Sequence, residues 1–266
     1  MSPAPKRPAL TVPLLTAALL LAAGLACNTL AGPRPAVAWD PDPAAIVVRA
    51  TFCCGMVPMA VAQNYIPDVT VWGDGRIVWI DSDNAGARRV LSATLTPDQL
   101  TALLQQFVDA GFFGWDTNYG DYSITDGASQ CLQVTLASTG HSVCEYYSGA
   151  PAKFHDLYTT ASSGAGATGV EFVPEQAYVT AYPQSFSTPP TPDQYLVWPA
   201  ESLGLSLANN AGGQWVTGDA AEFAWRVVNR SQWQPIVREG DDYYELTVLV
   251  ADLSSMQPPT PPPAAP

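Results

Sequence analysis

The run Val69-Thr70-Val71-Trp72, Gly73-Asp74-Gly75, Arg76-Ile77-Val78-Trp79-Ile80 constrains this chain more than any other stretch. β-branched and aromatic residues favour extended backbone, and Asp74-Gly75 between them supplies the positive φ angles of a tight turn. A β-hairpin is predicted there. Ile46-Val47-Val48-Arg49-Ala50 and Arg89-Val90-Leu91 are further strand candidates. Leu132, Val134 and Leu136 alternate, Ser138-Thr139-Gly140 reads as a turn, and the stretch from Ser142 to Tyr147 returns as a second hairpin.

A helix separates the two hairpins. Thr96 is placed to cap it, Pro97 suits its first position, and Gln99 completes a capping box. Leu100, Leu103, Leu104, Phe107 and Val108 recur at helical spacing as one apolar stripe, with Leu95 placed to staple against Leu100. Gly111 is available for a left-handed cap. Phe154, Leu157 and Tyr158 fit one face of a short closing helix. Strands, helix, strands, short helix predict an α+β fold, antiparallel hairpins packed against one or two helices.

Gly164-Ala165-Gly166-Ala167 marks a soft boundary. Beyond it, residues 176–182 and 243–250 read as strands. Residues 219–230 read as a helix with Ala220, Phe223, Val227 and Val228 on one stripe, and residues 187–192 as a Pro-rich loop. The expected organisation is a signal segment over 1–26, a Pro-rich tether over 27–45, an α+β module over 46–161, a second module or extension over 162–256, and a Pro-rich tail over 257–266. One reading of the two halves is two similar small modules, with their sharing of a sheet left open.

Charge narrows the function. Of 266 residues, 24 are Asp or Glu and 11 are Lys or Arg, a formal net charge of −13. Nucleic-acid binding and a polybasic membrane patch both need clustered cations, so no nucleic-acid partner is expected. A content of 47% hydrophobic and 13% charged residues indicates a folded body. Only His141 and His155 are available for imidazole chemistry.

The N-terminus supplies an address. Lys6-Arg7 precede an apolar stretch from Ala9 to Ala26, followed by Cys27, the layout of a secretory signal. Leu21-Ala22-Ala23-Gly24-Leu25-Ala26-Cys27 resembles the lipobox of bacterial lipoproteins, although Gly24 stands where a larger aliphatic residue is usual. The resemblance implies a lipid on Cys27 and a place on the extracytoplasmic face of the cell membrane. An uncleaved transmembrane helix and plain secretion are the competing readings. Residues 46–160, with an early cysteine-bearing strand, the Gly-Asp-Gly hairpin, Leu95-Thr96-Pro97-Asp98-Gln99-Leu100, Gly111-Phe112-Phe113 and Asp126-Gly127, resemble an uncharacterised domain of exported bacterial lipoproteins. That resemblance implies no activity and no catalytic residue.

Export leaves Cys53, Cys54, Cys131 and Cys144 as an even set, for which two disulfides are expected. A bond between the neighbours Cys53 and Cys54 strains the peptide, which favours each of them reaching Cys131 or Cys144. A direct Cys131–Cys144 bridge depends on a hairpin register the sequence leaves open. The adjacent cysteines suit a tetrahedral metal poorly.

Other constellations are weak. His155 and Asp156 adjoin, so they point in different directions and do not orient one another beside Cys53 or Cys54 as a triad requires. Asp81-Ser82-Asp83-Asn84-Ala85-Gly86 begins like a calcium loop but fails at Ala85 and Ser92. Asp116, Asn118, Asp121 and Asp126 form another oxygen-rich stretch, read as a solvated loop. Trp72, Trp79, Trp198, Trp215, Trp225 and Trp233 are read chiefly as core, with stacking on a sugar or protein partner as the functional alternative. No catalytic residue, metal or cofactor is expected. The expected function is a lipid-anchored binding or envelope-associated module. A carboxylate-dependent hydrolase of envelope polymers and a plain secreted structural protein are the alternatives.

Overall fold

The computed structural model describes residues 37–82, 88–121, 123–230 and 235–262, the side chains of Cys53, Cys54 and Ser82 apart. Eight strands form the first sheet: β1 (Ile46–Cys54), β2 (Val69–Trp72), β3 (Arg76–Ser82), β4 (Arg88–Thr94), β5 (Asn118–Gly120), β6 (Ala128–Leu136), β7 (Thr139–Tyr146) and β8 (Val170–Glu171). Their order is β5-β7-β6-β1-β2-β3-β4-β8, antiparallel except where β5 meets β7. The second sheet holds β9 (Gln176–Gln184), β10 (Leu196–Val197), β11 (Gln214–Thr217), β12 (Ile236–Glu239) and β13 (Asp242–Leu249). It runs β10-β12-β13-β9-β11 and is parallel only between β10 and β12. The helices are α1 (Met59–Gln63), α2 (Pro97–Ala110), α3 (Lys153–Ser162), α4 (Ala200–Leu203) and α5 (Gly218–Arg230). This is the expected α+β class. Among the described residues no helix is long and apolar enough to cross a membrane. The apolar stretch ending at Ala26 and the lipidation candidate Cys27 lie outside them.

The predicted hairpin is β2–β3, with Val69 opposite Trp79 and Val71 opposite Ile77. Gly75 takes φ +87° at the turn, where a Cβ would stand 2.5 Å from the carbonyl oxygen of Leu95. The Asp74 carboxylate closes the turn by accepting the Arg76 amide at 3.0 Å. At α2 the capping box is present: the Thr96 hydroxyl accepts from the Gln99 amide and the Gln99 side chain accepts from the Thr96 amide. Gly111 ends the helix at φ +77°, and Leu100, Leu103, Leu104, Phe107 and Val108 are all buried.

The first sheet is covered on both faces. Val48, Ala50, Val71, Ile77, Trp79 and Leu132 share a core with the buried stripes of α2 and α3. Trp72, Val78 and Val90 join the core of the other half, with Val179, Leu246 and Val248 of the second sheet and Ala221, Trp225 and Val228 of α5. At about 1.5–3 kcal/mol for each large apolar side chain buried, either layer is a substantial term. Double burial also explains why all four residues of β2 are buried.

The expected boundary near residue 162 does not separate the sheets, because β8 lies beyond it and pairs with β4. A buried amide fastens the halves. Asn64 donates from Nδ2 to the Leu246 carbonyl at 2.9 Å and accepts the Val248 amide at 2.7 Å. β12 pairs with β13 only as far as Glu245, so Asn64 takes up the edge where that ladder ends. Residues 37–45, within the stretch read as a tether, are docked. Trp39 Nε1 donates to the Gly73 carbonyl at 2.9 Å, and the Gly73 amide donates to the Ala45 carbonyl at 2.8 Å. The described residues from 37 onward belong to one compact unit.

One turn differs from expectation. Leu136 pairs with Thr139, so β6 and β7 join through Ala137 and Ser138, and Gly140 lies in the strand. The alternation of β6 ends at Leu136 as read, but the chain reverses one residue earlier than expected, so β7 already begins at Thr139.

Candidate functional site

Two cavities open at the seam between the first sheet and the second half of the chain. Trp72 ends β2 there, only 3% exposed, and its Nε1 has no hydrogen-bond partner among the described residues. The Arg76 guanidinium sits over the indole ring, 4.9 Å from its centroid. Arg76 is fixed in that pose by Asp74 at 2.7 Å and the Pro43 carbonyl at 2.5 Å. Such a stack holds a cation on an aromatic face while leaving the rest of the ring to line a hollow.

A cavity of about 400 Å³ opens beside this pair. Trp72 and Val78 form its wall on the sheet side, and Phe172 with Leu253 form the wall contributed by the rest of the chain. Arg76, Ser92, Thr94 and Asp252 supply its polar points. Leu253 is brought in by the turn after β13, where the Val250 amide donates to Ser254 Oγ at 2.8 Å and Asp252 takes φ +62°. Volume and lining match a small-molecule site, largely apolar with a few placed polar groups.

On the far side of Phe172 lies a second cavity, about 370 Å³, lined by Arg88, Trp225, Arg226, Asn229 and Arg230 among others. Arg88 also belongs to a polar cluster at the end of the first sheet. There the Tyr158 hydroxyl donates to Asp68 Oδ2 at 2.6 Å, and the Tyr65 hydroxyl accepts the Phe52 amide at 2.7 Å. Burial pushes the Asp68 carboxyl above its ordinary range, against the opposing pull of the Tyr158 hydrogen bond and the Arg88 charge. Burial likewise lowers Arg88 and raises both tyrosines. Such groups favour their neutral forms more than they would in water.

The cysteine arrangement differs from the favoured one. Cys131 and Cys144 stand directly opposite in the β6–β7 ladder and are bonded to each other, with S–S 2.08 Å and Cα–Cα 4.1 Å. They are therefore not free to receive Cys53 and Cys54. The cause is the two-residue turn, which sets a register that a turn at residues 138–140 would have shifted. Cys53 and Cys54 have their backbone in β1, and their side chains lie outside the described atoms.

Neither histidine faces Asp156. His155 Nε2 lies 3.2 Å from Oε2 of the buried Glu145, whose Oε1 accepts the Ala150 amide at 2.8 Å. His141 Nε2 lies 2.9 Å from the Trp115 carbonyl oxygen. Most of the calcium-loop candidate, residues 83–86, falls outside the described residues. In the other acidic stretch Asp121 is occupied by Ser123, accepting its amide at 3.0 Å and its hydroxyl at 2.6 Å. Among the described residues no three His, Cys, Asp or Glu side chains converge on a metal position. Trp79, Trp198 and Trp225 are core residues, Trp215 is half-buried, and Trp233 lies outside the described residues. Of the aromatic candidates, Trp72 alone among these both belongs to the core and lines the apolar cavity. Phe172, Leu253 and the arginines carry no local pattern, and only the folded chain brings them to the seam.

Residues 45–163 match a family described as a domain of unknown function (DUF6438). The matched stretch carries the strands from β1 to β7 with α1, α2 and α3. It therefore supplies one wall of the seam, and residues outside it supply the other. No curated protein and no solved structure matches the chain.

Proposed function

We propose that this protein is an extracytoplasmic binding module, fastened to the membrane by a lipid on Cys27, that takes a small and largely apolar ligand into the seam cavity. One observation carries the ligand half of this reading. The cavity of about 400 Å³ is walled by Trp72, Val78, Phe172 and Leu253, with Arg76, Ser92, Thr94 and Asp252 as its polar points. The lipobox-like sequence before Cys27 supports the anchoring half. Burial of acyl chains at about 0.8 kcal/mol per CH₂ holds a protein stably once two or more chains are attached. Asp68 and Glu245, the two carboxyls that burial raises, line neither seam cavity. The hydrolase alternative has no observation in its favour.

Binding is tested with the neutral apolar fluorophore N-phenyl-1-naphthylamine on residues 37–266. Saturable one-site binding that weakens at least tenfold in Ser92→Trp, whose side chain shares the Val78 face of the sheet, is expected at unchanged melting temperature. Equal binding by the filled variant refutes the site. For the anchor, Cys27→Ser should leave the membrane fraction, and persistence there at unchanged size refutes lipidation.

A further inference from the structure

Of the two cavities, the apolar one lies at the end of the first sheet where the N-terminal chain docks. Residues 39–45 follow the β2–β3 turn. Trp39 Nε1 donates to the Gly73 carbonyl, the Asp40 carbonyl oxygen lies so near Gly73 that a Cβ there would stand 1.9 Å from it, and the Pro43 carbonyl accepts from Arg76. Trp72 and Arg76, on either side of that turn, both line the cavity. Ten residue steps separate Cys27 from Val37, a reach of at most about 35 Å. The second cavity is lined by Arg88 and Val90, toward the other end of β4, on the order of 20 Å away along the strand from Thr94 to Arg88. An anchor on Cys27 thus holds the end of the sheet that carries the apolar cavity.

Strand register grades the polarity of the cavity floor. Residues directly opposite one another share a face and form successive rungs. Arg76 and Thr94 make the rung next to the turn, Val78, Ser92 and Val170 the second, and Ile80, Val90 and Phe172 the third. Polarity therefore falls from guanidinium and hydroxyl at the turn to purely apolar side chains further in, where Phe172 closes the cavity. Val170, 69% exposed, is an apolar lip beside this gradient. The Arg76 charge is spent on Asp74, and Asp252 makes no ion pair among the described residues. The mouth is therefore not cationic, and an anionic head group gains nothing there. Ser92 and Thr94 offer hydroxyls to an uncharged one. A volume of about 400 Å³ holds on the order of a dozen groups the size of a water molecule, enough for one acyl chain with a small head and too little for a two-chain lipid.

We propose that the ligand of the apolar cavity is a single-chain amphiphile with an uncharged, hydrogen-bonding head, taken from the bilayer that holds the anchor. Its head lies at the Arg76–Thr94 rung, and its chain runs over Val78 toward Phe172. This rests on the seam-cavity and lipid-anchor reading above and adds to it the class and the source of the ligand.

Photo-cross-linking on the lipidated full chain in phosphatidylcholine vesicles tests it. The probe is 1-decanoylglycerol with a diazirine on its acyl chain, dissolved in the vesicles. Irradiation should label the peptides holding residues 88–94 and 251–253, and Ser92→Trp should cut that labelling at least tenfold with the melting temperature unchanged. Decanoate carrying the same diazirine should label at least tenfold less. Eight EAAAK repeats inserted after residue 36, about 60 Å long where helical, should slow labelling at least tenfold while leaving N-phenyl-1-naphthylamine affinity as it was. Equal labelling of the Ser92→Trp variant, decanoate labelling as strong as that by the glyceride, or a rate indifferent to the spacer would each overturn the proposal. Saturable naphthylamine binding without any of this labelling overturns the proposal alone, whereas absence of both overturns the cavity reading beneath it as well.

Discussion

Single residues decide how the halves are held. Asn64 satisfies a backbone donor and a backbone acceptor of β13 at once, both buried. Asn64→Ala leaves the Leu246 carbonyl and the Val248 amide unpaired, at an expected cost of about 2–4 kcal/mol in chemical denaturation. Asn64→Asp should recover less than half of that, since a carboxylate keeps the acceptor and repels the carbonyl. Asp68 gives a pH signature. Its folded pKa lies above the ordinary 3.8, so the folded state holds its proton longer than the unfolded chain does. The stability it contributes is fully present below the ordinary value and falls as pH rises toward the raised one. Asp68→Asn keeps an acceptor for Tyr158 and removes that slope. Melting curves of parent and variant should diverge in the variant's favour from pH 4 upward and then run parallel.

At the level of elements, local chemistry and register share the work. The β2–β3 hairpin and α2 were readable because turn, cap and apolar stripe agree within one short window. The hairpin of β12 and β13, with Gly240 at φ +61° and Glu239 opposite Asp242, was not read from the sequence. Ile236-Val237-Arg238-Glu239 is short and half-polar, so only pairing with β13 reveals it as a strand. The β6–β7 turn shows the opposite weakness. Ala137-Ser138 has no strong turn residue, while Gly140 nearby invites the wrong choice, and one slip re-pairs every residue of the ladder. The Cys131–Cys144 bond, spanning 13 residues, pins the correct register. Replacing both cysteines by serine should lower unfolding stability by about 2–3 kcal/mol, as expected for closing a loop of that size. Equal stability of the reduced and oxidised parent would contradict this.

For the whole molecule, the first sheet is a shared wall. Trp72, Val78 and Val90 face the second half, and without it they face water. A chain ending at residue 163, which retains the family-matched stretch, is therefore expected to expose an apolar face and associate. Size-exclusion chromatography should show oligomers or aggregate, and the hydrophobic dye 8-anilinonaphthalene-1-sulfonate should bind strongly. A monomer with native-like tertiary circular dichroism would show instead that the first half is self-sufficient. The two cavities follow from the same geometry, since each has one wall from the sheet and another from residues beyond 170.

Sequence alone determined the pieces whose causes are local: the Asp-Gly hairpin, the capped helix with its five-residue stripe, and the α+β class. Tertiary structure decided which cysteines bond, where the second face of the sheet is buried, and where arginines and aromatics meet. Those depend on contacts between residues far apart in the chain, which no short-range periodicity encodes.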